Sequence, residues 1–593
     1  MSNRYEAERY YPFHRFVLAG LLALGAACTF VWEQATAEVT FIDAKPLTEV
    51  VTTAVQDCGG DLSRVPTIAW GADLTTSYAN GNATTTQAGS IFADEGLDVT
   101  LYRQDDFVRQ LEDFLACKTP FLRATNGMLH MAVELLAQDP RTAPVVAHQH
   151  SFSAGGDALV VSEEIKKPED LKGKTIVLQT YGPHVDYMMR ILKDASLTVN
   201  DVTIKWVKDL IQVDERSSSP AMAFAEGKAD AAFVITPDAL MLTSGGTVGT
   251  GSEGSVKGAH LLLSTKSLDT VITDLYVVRK DFFEANKAQV QAFAHGLLRA
   301  EEAVSALMKS QGDGYEDMLA AGASLILDNP SDTATMAEMY TLDLTMAGYR
   351  GNVEFFGDPK NPRRFEVLVN EAQDAFIQLG LLTKRVPVAH AMWDYAVLAE
   401  GLNNTADVEV QKFDAAAVAK VVERRAQQGA TEGELFSFEI YFAPNQNTFP
   451  AEQYQAAFDK AIDLASTYGG ALLVVNGHSD PLGYLKQKKE GAQPIVLNKA
   501  RQSARNLSMA RANAVKDSLI AYAATKGLTL DASQFGVSGL GVNQPNTPNC
   551  TRDGTGDIHL DCAPATEAEW NATRRVVFEI IQVEAEASVF SPL

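Results

Sequence analysis

Two side chains late in the chain, Asp480 and Arg511, are placed for ligand chemistry. Asp480 ends the turn Gly477-His478-Ser479-Asp480, which follows an apolar run at 471–475. In a Gly-led turn at a sheet end, a carboxylate stays solvated while its backbone is fixed. Arg511 stands at the edge of the apolar stripe of a long periodic stretch, where a guanidinium can leave the core and face a groove. Held apart on a rigid frame, such a pair suits a ligand carrying both an ammonium and a carboxylate. Arg clasps the carboxylate through two parallel hydrogen bonds, and Asp accepts from the ammonium. The plainer alternative is a surface ion pair between the two, worth ~0–1 kcal/mol.

The elements that must position them are legible. Leu497, Ala500, Ala504, Leu507, Val515 and Leu519 recur with the period of an amphipathic helix. Apolar strands precede it at 437–442 and 471–476; Gly539-Leu540-Gly541, Gln544-Pro545 and Arg574-Arg575-Val576-Val577-Phe578-Glu579-Ile580 come after it. In this order the motifs resemble the OmpA-like peptidoglycan-binding domain. The resemblance implies an α+β fold in which Asp480, Arg511, Ser479, Arg574 and Arg575 hold the diaminopimelate of a peptidoglycan stem peptide. The chain departs from that family at Ser479 (usually Thr), Ala504 (usually Asn) and Thr573 (usually Asn), and its loop between Asp480 and Leu507 is longer.

The larger N-terminal part alternates strand and helix patterns. Strands are predicted at 67–70, 144–148, 158–161, 175–179, 203–207, 231–235 and 275–278, which argues for parallel sheets covered on both faces. Three phrases, Ile91-Phe92-Ala93-Asp94-Glu95-Gly96-Leu97-Asp98-Val99, Glu169-Asp170-Leu171-Lys172-Gly173-Lys174-Thr175-Ile176-Val177 and Phe224-Ala225-Glu226-Gly227-Lys228-Ala229-Asp230-Ala231-Ala232, resemble the periplasmic substrate-binding proteins of nitrate, sulfonate, taurine and thiamine-precursor uptake. The resemblance implies two α/β lobes of the type II-like periplasmic-binding kind, with a solute held between them.

Strand carboxyl ends and helix amino ends present free N–H groups there, which favour anions. Position singles out Trp70, Asp73, Asn126, Ser153, Gly155, Thr180, Tyr181, His184 and Thr236 as solute ligands, with Tyr181 to His184 opening a helix. Against this, a Gly-Pro before a helix is often only a helix start, and Trp70 or His184 can serve the core. His148 and His150 alternate on a strand with no acidic or Cys partner, so a satisfied strand pair is preferred to a metal site.

At 593 residues the chain holds several domain-sized units. A net charge of −25 excludes a nucleic-acid partner, which needs a basic face. Arg4, Arg9 and Arg15 precede an apolar run at 16–32, and Ala35-Thr36-Ala37 offers a cleavage site. A cleaved signal, a retained inner-membrane anchor and, on Cys28, a lipidated start all export the remainder of the chain. Cys58, Cys117, Cys550 and Cys562 allow three pairings; Cys550 with Cys562 would staple a polar insertion, leaving Cys58 with Cys117. The divisions are a signal or anchor at 1–37, a leader with one short helix at 38–65, a two-lobed receptor at 66–402, a linker at 403–434 and the wall-type domain at 435–593.

These features point to an exported, periplasmic solute-binding protein fixed to peptidoglycan, with no cofactor and no metal. The solute is anionic or heterocyclic, and a transporter in the inner membrane is left open as a partner. The alternative is an envelope scaffold whose receptor-like domain binds a protein. No Ser/His/Asp or paired-carboxylate motif stands out for an enzyme.

Overall fold

The computed structural model describes residues 38–58, 64–212, 216–405, 418, 420–422, 424, 434–448, 454–469, 471–548, 550–554 and 557–581. Residues 1–37, read from sequence as a signal or anchor, and most of 403–434, read as a linker, lie outside them. Among the described residues no helix is long and apolar enough to cross a membrane.

The first lobe contains β1 (Arg64–Thr67) beside β2 (Thr100–Arg103), β3 (Phe121–Thr125), β4 (Pro144–Ser153), β10 (Thr273–Arg279), β11 (Leu344–Met346) and β12 (Ala389–His390). Its main sheet has the order β11-β4-β10-β3, with β12 alongside β4. The second lobe is β5 (Asp157–Val161), β6 (Thr175–Gln179), β7 (Thr203–Val207), β8 (Ala231–Ile235) and β9 (His260–Ser264), in the order β7-β6-β8-β5-β9.

Neither main sheet is all parallel, contrary to the sequence expectation. β10 runs antiparallel to both β3 and β4, and β5 is antiparallel to β8 and β9. The reason is the path of the chain. It enters the second lobe from β4 to β5 and returns from β9 to β10, so these strands run against their neighbours. The first strand lies at 64–67 rather than at 67–70, and β2, β3, β9, β11 and β12 were not predicted; Arg123 interrupts the apolar run of β3, and His260 opens β9.

Three helices contribute to one cavity: α1 (Asn126–Leu136), α2 (His184–Asp194) and α3 (Phe365–Gln378). Thr125 caps α1 by accepting from Met128 N at 3.1 Å. On β3, the fully buried Arg123 lies 3.1 Å from Asp73 and 2.9 Å from Asp274. Burial raises both carboxyls, while Arg123 between them keeps its proton. Such an array contributes little net stability when intact, but breaking it is costly.

The leader straps both lobes. Ile42 N donates to Trp206 O in the second lobe at 2.9 Å, and Gln56 N donates to Leu115 O in the first at 3.0 Å. A Cys58–Cys117 disulfide fixes its far end, and the second disulfide joins Cys550 to Cys562.

The C-terminal sheet is mixed: β13 (Glu434–Tyr441), β14 (Leu472–His478), β15 (Phe535–Gly541) and β16 (Arg575–Ile581), in the order β13-β16-β14-β15. Helix α6 (Pro494–Thr525) packs on it, and both α4 (Gln455–Thr467) and the short α5 (Leu482–Lys489) pack against α6. The longer loop expected after Asp480 is thus α5 and the first turns of α6. Asp557 ties this part to the stapled loop, accepting from Tyr484 Oη at 2.7 Å and from Lys488 Nζ at 2.8 Å.

Candidate functional site

The two crossings between lobes meet in one hydrogen-bonded junction. Ser153 Oγ, at the end of β4, donates to Asp157 Oδ2 at 2.6 Å and lies 2.8 Å from Thr265 Oγ1 on the return crossing. Thr265 Oγ1 accepts from Gly155 N and Asp157 N, both at 3.1 Å. Asp157 Oδ1 faces His184 Nε2 at 2.7 Å, which brings the first residue of α2 into the network. Thr236 Oγ1 donates to Gly155 O. Asp343 O accepts from Ala154 N at 2.9 Å and Gly156 N at 3.0 Å.

Glycine is required at this crossing. Gly155 has φ +147°, and a Cβ there would stand 2.3 Å from Leu342 O. A Cβ on Gly156 would stand 2.5 Å from the Trp70 ring, so the indole of the first lobe lies flush on the crossing strand. Trp70 Nε1 donates to Ser151 Oγ at 3.1 Å, and Ser151 Oγ donates to Asp274 at 2.7 Å. The junction is therefore continuous with the buried Arg123 array.

Its electrostatics are acidic. Burial pushes the Asp343 carboxyl up to about 7, helped by the nearby Asp157, and pushes Asp238 up to about 6 against the pull of His184. Thr180 Oγ1, His184 Nδ1 and Asp238 Oδ2 are buried with no partner in the protein. This set suits a small polar solute reaching both lobes, with N–H or O–H donors toward the carboxyls and acceptor oxygens toward Thr180 Oγ1 and His184 Nδ1.

Of the residues read from sequence, Trp70, Ser153, Gly155, His184 and Thr236 come together here, and Thr180 lies beside them in the chain. Asp73 does not; its carboxylate is committed to Arg123, Tyr276 and the backbone of Ile68. Tyr181 also turns elsewhere. Its φ of +57° directs the phenol to the leader, where it donates to Lys45 O at 2.6 Å. Asn126 caps a different cavity, beside Asp186. Asp157, Thr265, Asp238 and Asp343 were missed. Asp157 alone carried a signal, as a carboxylate opening a strand just after Gly155-Gly156.

His148 and His150 are fully buried on β4 and kept neutral by burial, His148 with a pKa pushed down to about 3. His150 Nε2 lies 3.0 Å from Ala72 O. Among the described residues, no group of three or more His, Cys, Asp or Glu side chains is arranged to hold a metal.

In the C-terminal domain, Arg511 does not leave the core; it is 1% exposed. Its guanidinium donates to Gln446 O at 2.7 Å, His478 O at 2.9 Å and Ala443 O at 3.3 Å. Burial lowers its pKa to about 10, opposed by the charge of Asp480. The cause is the 442–446 loop, which closes over the helix and needs a donor for its carbonyls. Asp480 is half-buried and accepts from Leu482 N at 3.3 Å. No ion pair joins the two side chains among the described residues.

Ser479 Oγ is likewise committed, donating to Ala504 O at 3.0 Å. Arg574 lies on the side of Arg511, its Nε donating to Phe442 O at 3.3 Å. Arg575 points to the sheet, 3.0 Å from Glu439. Asp480, Arg511 and Arg574 thus share one end of the sheet; Arg575 opens β16 at the same end but turns its guanidinium to Glu439.

The profile of the family described as NMT1/THI5 like matches residues 84–307. The taurine-binding periplasmic protein of Escherichia coli (strain K12) is 31% identical over 147 residues, 25% of this chain and 40% of that protein. The chain thus matches less than half the length of that relative. Among solved structures, the periplasmic aliphatic sulphonate binding protein of Escherichia coli is similar at 16% identity and a TM-score of 0.38, over 60% of this chain and 97% of that one. The alkanesulfonate-binding protein of Xanthomonas axonopodis pv. citri bound to MOPS gives 18% identity and a TM-score of 0.37, over 56% and 98%.

Proposed function

We propose that this chain is an exported, periplasmic solute receptor of the sulfonate- and taurine-binding kind, fixed to peptidoglycan by a C-terminal OmpA-like domain. Residues 66–402 form the receptor, 403–434 the linker and 435–593 the wall-binding domain. It acts by binding rather than by catalysis, and hands its solute to a transporter in the inner membrane.

The observation that carries the receptor reading is the junction of the two crossings, where Trp70, Ser153, Asp157, His184 and Thr236 converge from both lobes. A solute touching both sides stabilises the closed arrangement and so shifts the balance between open and closed forms. The match to the NMT1/THI5 like profile and the partial identity with a taurine-binding protein support the solute class. The wall reading is supported by the ordered motifs and by Asp480, Arg511 and Arg574 sharing one sheet end.

The test is a dissociation constant for taurine and for simple alkanesulfonates, measured on the wild type and on Thr236→Val. Micromolar or tighter binding that weakens at least tenfold in the variant supports the reading. Equal binding by both proteins removes the junction as the site.

A further inference from the structure

We propose that a second small-molecule site lies between α1, α2 and α3, and that it takes a zwitterion with an apolar side chain, of the class of a medium-sized apolar amino acid. Its ammonium sits at Asp186 and Asn126, and its carboxylate at Arg363.

A cavity of about 470 Å³ opens there, within the range of small-ligand pockets. Two buried polar atoms of residues that line it have no partner: Asn126 Oδ1, on a residue 2% exposed, and Arg363 Nε, on one 6% exposed. Buried polar groups rarely go unpaired, because each forfeits its hydration. One is an acceptor and the other a cationic donor, so together they call for a ligand with an N–H at one end and an anion at the other.

Asp186 completes the acceptor end. Its Oδ1 accepts from Tyr187 N at 3.1 Å, and its carboxylate packs so closely on α1 that a Cβ on Gly127 would stand 2.5 Å from it. Burial raises the Asp186 carboxyl to about 7, and an arriving ammonium supplies the cation that favours its ionised form. Arg363 spends Nη1 on Glu371 at 2.7 Å, which fixes the plane of the guanidinium and leaves Nε for a carboxylate. Leu192, Val271 and Leu368 form apolar wall between the two ends and fit a branched aliphatic side chain. Trp70, Ser153, Asp157 and Thr236 do not line this cavity, so it is distinct from the crossing junction.

The experiment is calorimetric titration of the full chain with L-leucine, 4-methylpentanoate and 3-methylbutylamine. The expected result is binding of leucine, with each analogue, lacking one charged group, at least tenfold weaker. Asp186→Asn and Arg363→Gln are each expected to weaken leucine at least tenfold. Arg363→Lys is the substitute if Arg363→Gln melts below the wild type. No heat with leucine on the folded wild type overturns the site, as does unchanged affinity in the variants. Taurine is itself a zwitterion, so the two sites are told apart by variant: leucine affinity unchanged in Thr236→Val, whose side chain does not line this cavity, supports a separate site, and this site can fail while the receptor reading stands.

Discussion

Arg190 Nη2 lies 2.7 Å from Asp463 Oδ2, joining α2 of the second lobe to α4 of the C-terminal domain. The same guanidinium reaches Asp194 at 2.9 Å and Glu371 at 3.1 Å and is 5% exposed. Beside it, Thr270 Oγ1 on the return crossing donates to Ser466 O and Thr467 O at 3.3 Å, and Tyr468 is fully buried. The C-terminal domain therefore rests on α2 and on the return crossing, two of the parts that build the junction.

Replacing Arg190 by Met strands Asp194, itself 4% exposed, without its cation. Breaking a buried pair in this way costs about 3–5 kcal/mol. Denaturant unfolding is expected to show that loss and to separate into two transitions as the domains uncouple. Asp463→Ala leaves Arg190 two other carboxylates and is expected to cost under ~1 kcal/mol.

Stability is expected to fall as pH rises from about 6.5 to 9, the range in which raised carboxyls titrate. Burial raises Glu301 to about 8 and Asp186 and Asp343 to about 7. An acid raised in the fold stabilises it below its unfolded pKa, and that contribution disappears as pH passes the folded value. Glu371, pulled down to about 2 by Arg363 and Arg190 against its burial, changes only in stronger acid. Buried His130, His148 and His478, held near 3, and His150, held well below its ordinary value, offset that fall below about pH 6.5, because the unfolded chain protonates them. Melting temperature against pH checks the sign.

Cys58→Ser with Cys117→Ser frees the far end of the leader strap. Opening a loop of 59 residues' separation is expected to cost ~2–4 kcal/mol, read from the denaturation midpoint.

Asp480→Ala is expected to abolish sedimentation with purified peptidoglycan while leaving the melting temperature unchanged, since its carboxylate caps one backbone N–H. Arg511→Ala is expected to abolish sedimentation and also to lower the melting temperature, because three carbonyls lose their donor. Retained sedimentation in Asp480→Ala removes that residue from the wall site.

How far the sequence could be read depends on whether a feature has local or distant causes. Helical periodicity in 497–519 and the apolar runs of β6, β8 and β14 depend on neighbours in the chain, and they were read directly. Strand direction was not legible, because it depends on where the chain crosses between lobes. Ser153, His184 and Thr236 were found because each ends or opens an element, and Trp70 and Gly155 because they lie in the turns just beyond strands. Asp343 was missed because its role comes from a contact made far away in sequence, with Ala154 and Gly156. Arg511 was placed on the right helix and given the wrong surroundings; nothing nearby in sequence announces the 442–446 loop that covers it.

The most direct test of the receptor reading is thermal unfolding of the full chain against taurine and a series of alkanesulfonates. A solute at about a hundredfold its dissociation constant adds ~2.7 kcal/mol to the native state. The account predicts such a rise with at least one sulfonate and its loss in Trp70→Ala. A melting temperature that no sulfonate moves contradicts it.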